Sequence, residues 1–119
     1  MNKDDIISRT KRFTFDVINI CGQLPKGIAF DVFSKQLIRC SSSIGANYRA
    51  ACRAKSNADF INKLKIVEEE TDESIYFLEL LKEIDNKNTK NINILICEAN
   101  ELLAIFVASL KTVKRRNQI

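Results

Sequence analysis

Residues 41–56 read SSSIGANYRAACRAKS, and their conformation decides the fold. The serines, glycine and asparagine suggest a flexible loop or a phosphate cradle. The alanines and arginines that follow suggest a helix. A phosphate-binding loop needs G-x-x-x-x-G-K-[ST], or clustered glycines between a strand and a helix. Gly45 is the one glycine here, and no strand pattern precedes it. The apolar phase settles the choice. Phe30, Phe33, Leu37, Cys40, Ile44, Asn47 and Ala51 follow one another in steps of three and four, the spacing of a helix seam. A loop would lose that phase. The spacing therefore predicts one helix from about Ile28 to Lys55, with the quoted stretch as its second half.

Three further segments repeat the pattern. Upstream, Ile6, Thr10, Phe13, Val17, Ile20 and Leu24 predict a helix over about 3–24. LPKG at 24–27 ends it, because Pro25 cannot continue a helix and Gly27 permits a turn. Downstream, Ser56 followed by Asp59 resembles a capping box, with Asp in place of Glu. Phe60, Leu64, Val67, Thr71, Ser74, Leu78 and Leu81 then mark a seam over 57–86, with Ile61, Ile75 and Phe77 outside it. DNKNTKN at 85–91 is a polar break in which Asn88 or Thr89 can cap the next helix. Ile92, Leu95, Ala99, Leu102, Phe106 and Val113 mark a fourth helix over 90–115, widened by Ile96, Leu103, Ile105, Val107 and Leu110. Four long helices with short connections predict a single-domain, all-α, up-down-up-down antiparallel four-helix bundle. The apolar stripes are wider than one seam consumes. They fit either a broad core face or a second face at a subunit interface.

Composition narrows the chemistry. The 119 residues suit one domain, and few glycines and a single proline favour helix over a turn-rich β fold. Without histidine the chain can form no Ser-His or Cys-His nucleophile pair, no Glu-x-x-His di-iron site and no His-bearing zinc site. Cys21, Cys40, Cys52 and Cys97 form no C-x-x-C pair and fall among apolar residues, as reduced cysteines in a cytoplasmic protein do. No uninterrupted apolar run is long enough to span a membrane, and the acidic start MNKDDIISRTK does not read as a signal peptide. No cofactor and no membrane partner is expected.

Charge is segregated along the chain. Residues 1–55 hold ten basic and four acidic side chains, residues 56–86 three and nine, and residues 87–119 six and two. The middle segment can pair with its neighbours inside the fold, or leave one surface basic and another acidic.

The quoted stretch has two faces. Ser41, Gly45 and Cys52, with Ala50 and Ala54 nearby, are small enough to admit a neighbouring helix. A helix-interior glycine costs up to about 1 kcal/mol relative to alanine, which close packing must offset. Asn47 lies on the seam phase, where one asparagine can fix register. On the other face Lys35, Arg39, Ser42, Ala46, Arg49 and Arg53 follow helical steps, and Lys55 comes next. This stripe can bind phosphates, remain a solvated face, or pair with Glu68, Glu69, Glu70, Asp72 and Glu73. Lys11 with Arg12, and Lys114 with Arg115 and Arg116, can extend a nucleic-acid-binding surface. The acidic run EEETDE places Glu69 with Glu73, and Glu70 with Glu73, on one helix face. Such pairs can bind metal or act as acid and base. With no histidine and no matching acidic helix, no metal site is expected.

The run SIGANYRAACRAKSNADFINKLKIVEEETDESIYFLELL at 43–81, with RTKRFTFDVINICGQLPK at 9–26 and KQLIRCSSS at 35–43, resembles a family of small bacterial four-helix bundle proteins. The family includes proteins encoded in intervening sequences of 23S ribosomal RNA genes and the accessory variability determinants of diversity-generating retroelements. The resemblance implies a homopentamer with a central channel, RNA or DNA binding through a basic surface, no catalysis by the fold, and in one branch a reverse transcriptase partner. It assigns the spare apolar faces to subunit interfaces. This sequence departs from the family where Ala50 replaces an acid, Glu69 a lysine and Phe77 a tryptophan. The resulting expectation is a cytoplasmic, non-enzymatic, homo-oligomeric, nucleic-acid-binding accessory protein that contacts phosphates through Arg39, Arg49, Arg53 and Lys55. The alternative is a structural or protein-binding oligomer whose basic stripe is consumed by internal ion pairs.

Overall fold

The computed structural model describes residues 1–117. Four helices follow in order: α1 (Lys3–Cys21), α2 (Ile28–Cys52), α3 (Asn57–Ile84) and α4 (Thr89–Asn117). Connections of a few residues force each helix to run antiparallel to the one before. Each packs on its chain neighbours, and α4 closes the ring on α1. The result is a rod-shaped bundle of 52 × 21 × 20 Å.

The predicted seams form the core. Ile6, Thr10, Phe13, Val17 and Ile20 of α1 are buried, as are Leu37, Cys40, Ile44 and Ala51 of α2. So are Leu64, Val67, Thr71, Ser74, Leu78 and Leu81 of α3, with Ile92, Leu95, Ala99, Leu102, Phe106 and Leu110 of α4. Phe77 is half-buried with its ring centroid 6.2 Å from that of Phe33.

Near the helix ends the predicted seam residues Leu24, Phe30, Phe33, Phe60 and Val113 are only half-buried, and in the middle of α2 one seam position differs from the prediction. Tyr48, not Asn47, takes the buried position after Ile44, and its ring centroid lies 5.7 Å from that of Phe106 across the core. A straight helix drifts by about 20° per heptad against a 3.5-residue repeat, so the seam slips one residue along a helix this long. Asn47 is only half-buried, and its Nδ2 donates to Ser43 O at 3.0 Å and Ser43 Oγ at 2.8 Å. Those bonds stay within α2 and fix no interhelical register.

The helix ends also differ by a few residues. α1 stops at Cys21, short of Leu24. Gln23 N donates to Ile20 O at 2.9 Å, so the chain tightens ahead of Pro25. α2 stops at Cys52, leaving Arg53 as its C-cap and Lys55 in the connection. Arg53 N and Ala54 N each donate to a carbonyl three residues back, at 3.1 Å, and the chain then opens to the extended Ser56. Ser56 Oγ accepts from Asp59 N at 3.1 Å, one half of the expected box. The complete box is at α1: Asn2 Oδ1 accepts from Asp5 N at 2.9 Å, and Asp5 Oδ2 accepts from Asn2 N at 3.2 Å. Between α3 and α4, Asp85 is buried and accepts from Lys87 N at 3.0 Å and Asn88 Nδ2 at 2.7 Å. These bonds hold its carboxyl below the usual carboxylate range.

By length and composition α4 passes as a membrane-crossing helix. In the bundle one stripe of it, Ile92, Leu95, Ala99, Leu102, Phe106 and Leu110, faces the core.

Candidate nucleic-acid interface

Close packing of α1 on α2 builds the site. Gly45 faces Thr10, and a Cβ on Gly45 would lie 3.3 Å from Thr10 Oγ1. One turn along, Thr14 Oγ1 is 3.1 Å from Ser41 O of the neighbouring helix. The small residues of the quoted stretch thus serve as a packing face, and they leave a shallow groove above the contact. Its volume is about 240 Å³, with Lys11 and Phe15 of α1 on one side and Ser42, Ala46 and Arg49 of α2 on the other. Lys11, Phe15 and Arg49 are all exposed, Phe15 by 57%. A second depression on the outer side of α1 is lined by Ser8, Arg9, Lys11, Arg12 and Phe15. Lys11 and Phe15 therefore border both.

The basic stripe predicted on α2 divides. At about 100° per residue, Arg49 lies roughly 80° around the helix from Arg39. Arg39 reaches α3, where its NH1 donates to Glu70 Oε2 at 3.2 Å and its NH2 to Glu73 Oε1 at 2.7 Å. Its Nε donates to Gln36 Oε1 at 3.1 Å. The Glu73 bond, with Glu70 and Glu73 both nearby, raises the Arg39 pKa further. Glu70 and Glu73, read from sequence as a carboxylate pair, are thus joined to a cation. Among the described residues no cluster of three or more His, Cys, Asp or Glu side chains can hold a metal.

The other candidates are dispersed. Lys35, Arg53 and Lys55 are exposed or nearly so, with Lys35 about 27 Å along the axis from Arg53 at 1.5 Å per residue. Arg12 is exposed and lies 3.4 Å from Asp16 one turn on. Lys114 lines a groove on the opposite, α3/α4 side with Lys65, Glu68, Glu69 and Asp72. Arg115 and Arg116 follow it, exposed, in the last turn of α4. The bundle brings Lys11 together with Arg49, and Lys11 with Arg12. It does not bring the α4 group to them.

Sequence reasoning missed Phe15, which lies off the α1 seam, and Arg9. Arg9 Nε donates to Glu98 Oε2 at 3.0 Å and NH2 to Glu98 Oε1, with Glu101 at 3.7 Å. This fork ties α1 to α4, and the Glu98 bond raises the Arg9 pKa. The cysteines are free; Cys97 is exposed, unlike the small core hydrophobe expected. Burial pushes the Cys21 and Cys40 thiols up, opposed by Ser34 and Ser74 respectively.

The fold is an antiparallel all-α four-helix bundle with exposed cations on its α1/α2 face. The sequence profile of the 23S rRNA-intervening sequence protein family matches residues 2–108, and the chain belongs to that family. Among solved structures it is similar to a protein of unknown function from the S23 ribosomal protein family of Bacteroides thetaiotaomicron, with a TM-score of 0.80 and 31% identity. The match covers 89% of this chain and 98% of that one. A search of curated proteins returned no match.

Proposed function

We propose that this protein is a non-enzymatic, self-associating bundle of the cytoplasm that binds nucleic acid through the α1/α2 face as an accessory protein. The observation that carries this reading is the pairing of exposed Lys11 and Arg49 across one groove, with Arg12 beside Lys11 and Arg53 one turn beyond Arg49. Cations on two rigid helices present fixed charges to a phosphate backbone without ordering a loop. They contact phosphates and read no base edge, so RNA and DNA are both ligands in this reading. Arg39 contributes little to it, because its guanidinium is already neutralised by Glu70 and Glu73.

The test is a binding titration with RNA and DNA at low and moderate salt. Affinity should fall steeply as salt rises, by roughly one power of salt concentration per phosphate contacted. Reversing charge at Lys11 and Arg49 together should weaken binding and flatten the salt slope. Unchanged affinity in that variant would remove the assignment.

A second reading, a structural oligomer without nucleic acid, is favoured by two observations. Arg39 is spent on an internal ion pair, and Ile18, Ile28, Val32 and Ile94 remain at least 44% exposed. Uncovered apolar side chains of this size fit contacts between copies. In this reading the reversals at Lys11 and Arg49 change the mass of the assembly in solution and leave nothing to measure with RNA. A monomeric mass for the native chain would remove self-association from both readings.

A further inference from the structure

The α1/α2 groove holds a feature that phosphate binding alone does not use. Phe15 is 57% exposed on a helix whose seam residues are buried. Solvating a phenylalanine ring gives up the burial it would gain in a core. Its neighbours are cationic: Lys11 borders both depressions beside Phe15, Arg12 lies on the outer side and Arg49 across the groove. Between Phe15 and Arg49 the groove is lined by Ser42, Gly45 and Ala46, residues too small to cover the ring. The same small side chains that let α1 approach α2 thus leave the ring open.

We infer that Phe15 is a stacking platform and that the α1/α2 groove takes single-stranded nucleic acid in preference to duplex. The inference rests on the nucleic-acid reading and names its ligand. A flat π-face beside two or three cations matches a strand whose bases are free, because each nucleotide then offers a phosphate and an unpaired ring. In a duplex the bases are stacked on one another and only phosphates reach a convex helical surface. An aromatic ring there would gain nothing. Stacking also asks for no particular base, in keeping with a groove whose hydroxyls, on Thr10, Thr14 and Ser42, each already donate to a backbone carbonyl of the bundle.

The chain contains no tryptophan, which makes a direct test available. Phe15→Trp places one indole at the platform. The probes are oligo(U), oligo(dT) and a blunt duplex of equal length, titrated into the native protein, Phe15→Trp, Phe15→Ala and the Lys11→Glu/Arg49→Glu pair. The native protein should bind the single strands more tightly than the duplex. In Phe15→Trp the indole fluorescence should be quenched by single strands but not by duplex. Phe15→Ala should weaken single-strand binding about tenfold and leave duplex binding unchanged. Equal affinity for duplex and single strands, with no quenching and no effect of Phe15→Ala, overturns the inference. If the charge-reversed pair still weakens binding in that case, the nucleic-acid reading survives alone. If no probe binds the native protein, both fall. A change in solution mass caused by Phe15→Ala would place the ring between copies and also overturn the inference.

Discussion

Gly45 of α2 stands against Thr10 of α1 so closely that an added Cβ would lie 3.3 Å from Thr10 Oγ1. Thr10 cannot easily yield, because it is buried and its Oγ1 donates to Ile7 O at 3.0 Å. Gly45→Ala therefore sets two effects of about 1 kcal/mol against each other: the gain in helix propensity and the crowding of Thr10. Its net effect on unfolding free energy should be near zero. Gly45→Val adds more bulk with only part of that propensity gain and should destabilise by about 2–3 kcal/mol. Chemical denaturation of both variants checks the pair, and a harmless Gly45→Val would show that α1 and α2 are not closely packed there.

Arg39 and Arg49 are one face of α2 in the sequence and two sites in the fold. Arg39→Glu would set three acids together at the α2/α3 surface and should lower stability by about 1 kcal/mol. Its effect on nucleic-acid affinity should be small. Arg49→Glu should do the reverse, because Arg49 lines an open groove. Thermal unfolding and a binding titration on the two single variants separate them. Loss of binding in Arg39→Glu at unchanged stability would return Arg39 to the interface.

How much of this was legible in the sequence follows from what each feature depends on. The seams depend on local period alone, so Phe13, Leu37, Leu64 and Leu102 could be placed in the core from spacing. Tyr48 could not, because the drift that buries it in place of Asn47 accumulates along a whole helix. Arg9 and Glu98 are 89 residues apart, and no local pattern links them. The basic stripe of α2 was legible as a stripe. That its Arg39 edge faces α3 and its Arg49 edge faces α1 depends on the direction in which the bundle closes, which periodicity does not encode. Phe15 lies off the α1 seam, and no local pattern shows that Ser42, Gly45 and Ala46, too small to cover it, line the groove beside it.

Tyr48 gives the bundle a dependence on alkaline pH. Burial, followed by the neighbouring Cys52 thiol, pushes its pKa up to about 12. A group whose folded pKa is raised contributes stability that is fully present below its unfolded value, about 10 for tyrosine, and is lost as pH rises through the folded value. Unfolding free energy should therefore decline between about pH 10 and 12, by on the order of 1–3 kcal/mol from this group. Tyr48→Phe should remove that part of the decline. A native-like slope in Tyr48→Phe would assign the alkaline loss to other groups.

Asp85 acts in the opposite direction. Its depressed pKa, caused first by the Asn88 side chain and then by the Lys87 amide, contributes stability above the ordinary carboxylate value of about 3.9. That contribution is lost as pH falls through the folded value. Asp85→Ala leaves Lys87 N and Asn88 Nδ2 without their acceptor and should cost about 1–2 kcal/mol at neutral pH. The difference between the variant and the native chain should therefore shrink as pH falls from the ordinary carboxylate value through the lower folded one, and an acid titration of unfolding free energy reads this directly.

The Arg9–Glu98 fork and the Arg39–Glu73 pair offer a comparison within one molecule. The Arg9 and Glu98 side chains are 22% and 29% exposed, against 50% and 38% for Arg39 and Glu73. The less exposed pair is less screened by water and salt and makes two hydrogen bonds to one carboxylate. Double-mutant cycles with Arg9→Met/Glu98→Gln and Arg39→Met/Glu73→Gln should give a coupling of about 1–2 kcal/mol for the first and less than about 1 kcal/mol for the second. The second should also shrink more as salt is raised. Because α1 meets α4 through this fork, Arg9→Met should loosen α1 before the rest, giving faster amide exchange in α1 than in α3. Equal couplings, or uniform exchange in Arg9→Met, would show that α1 is held by its apolar seam alone.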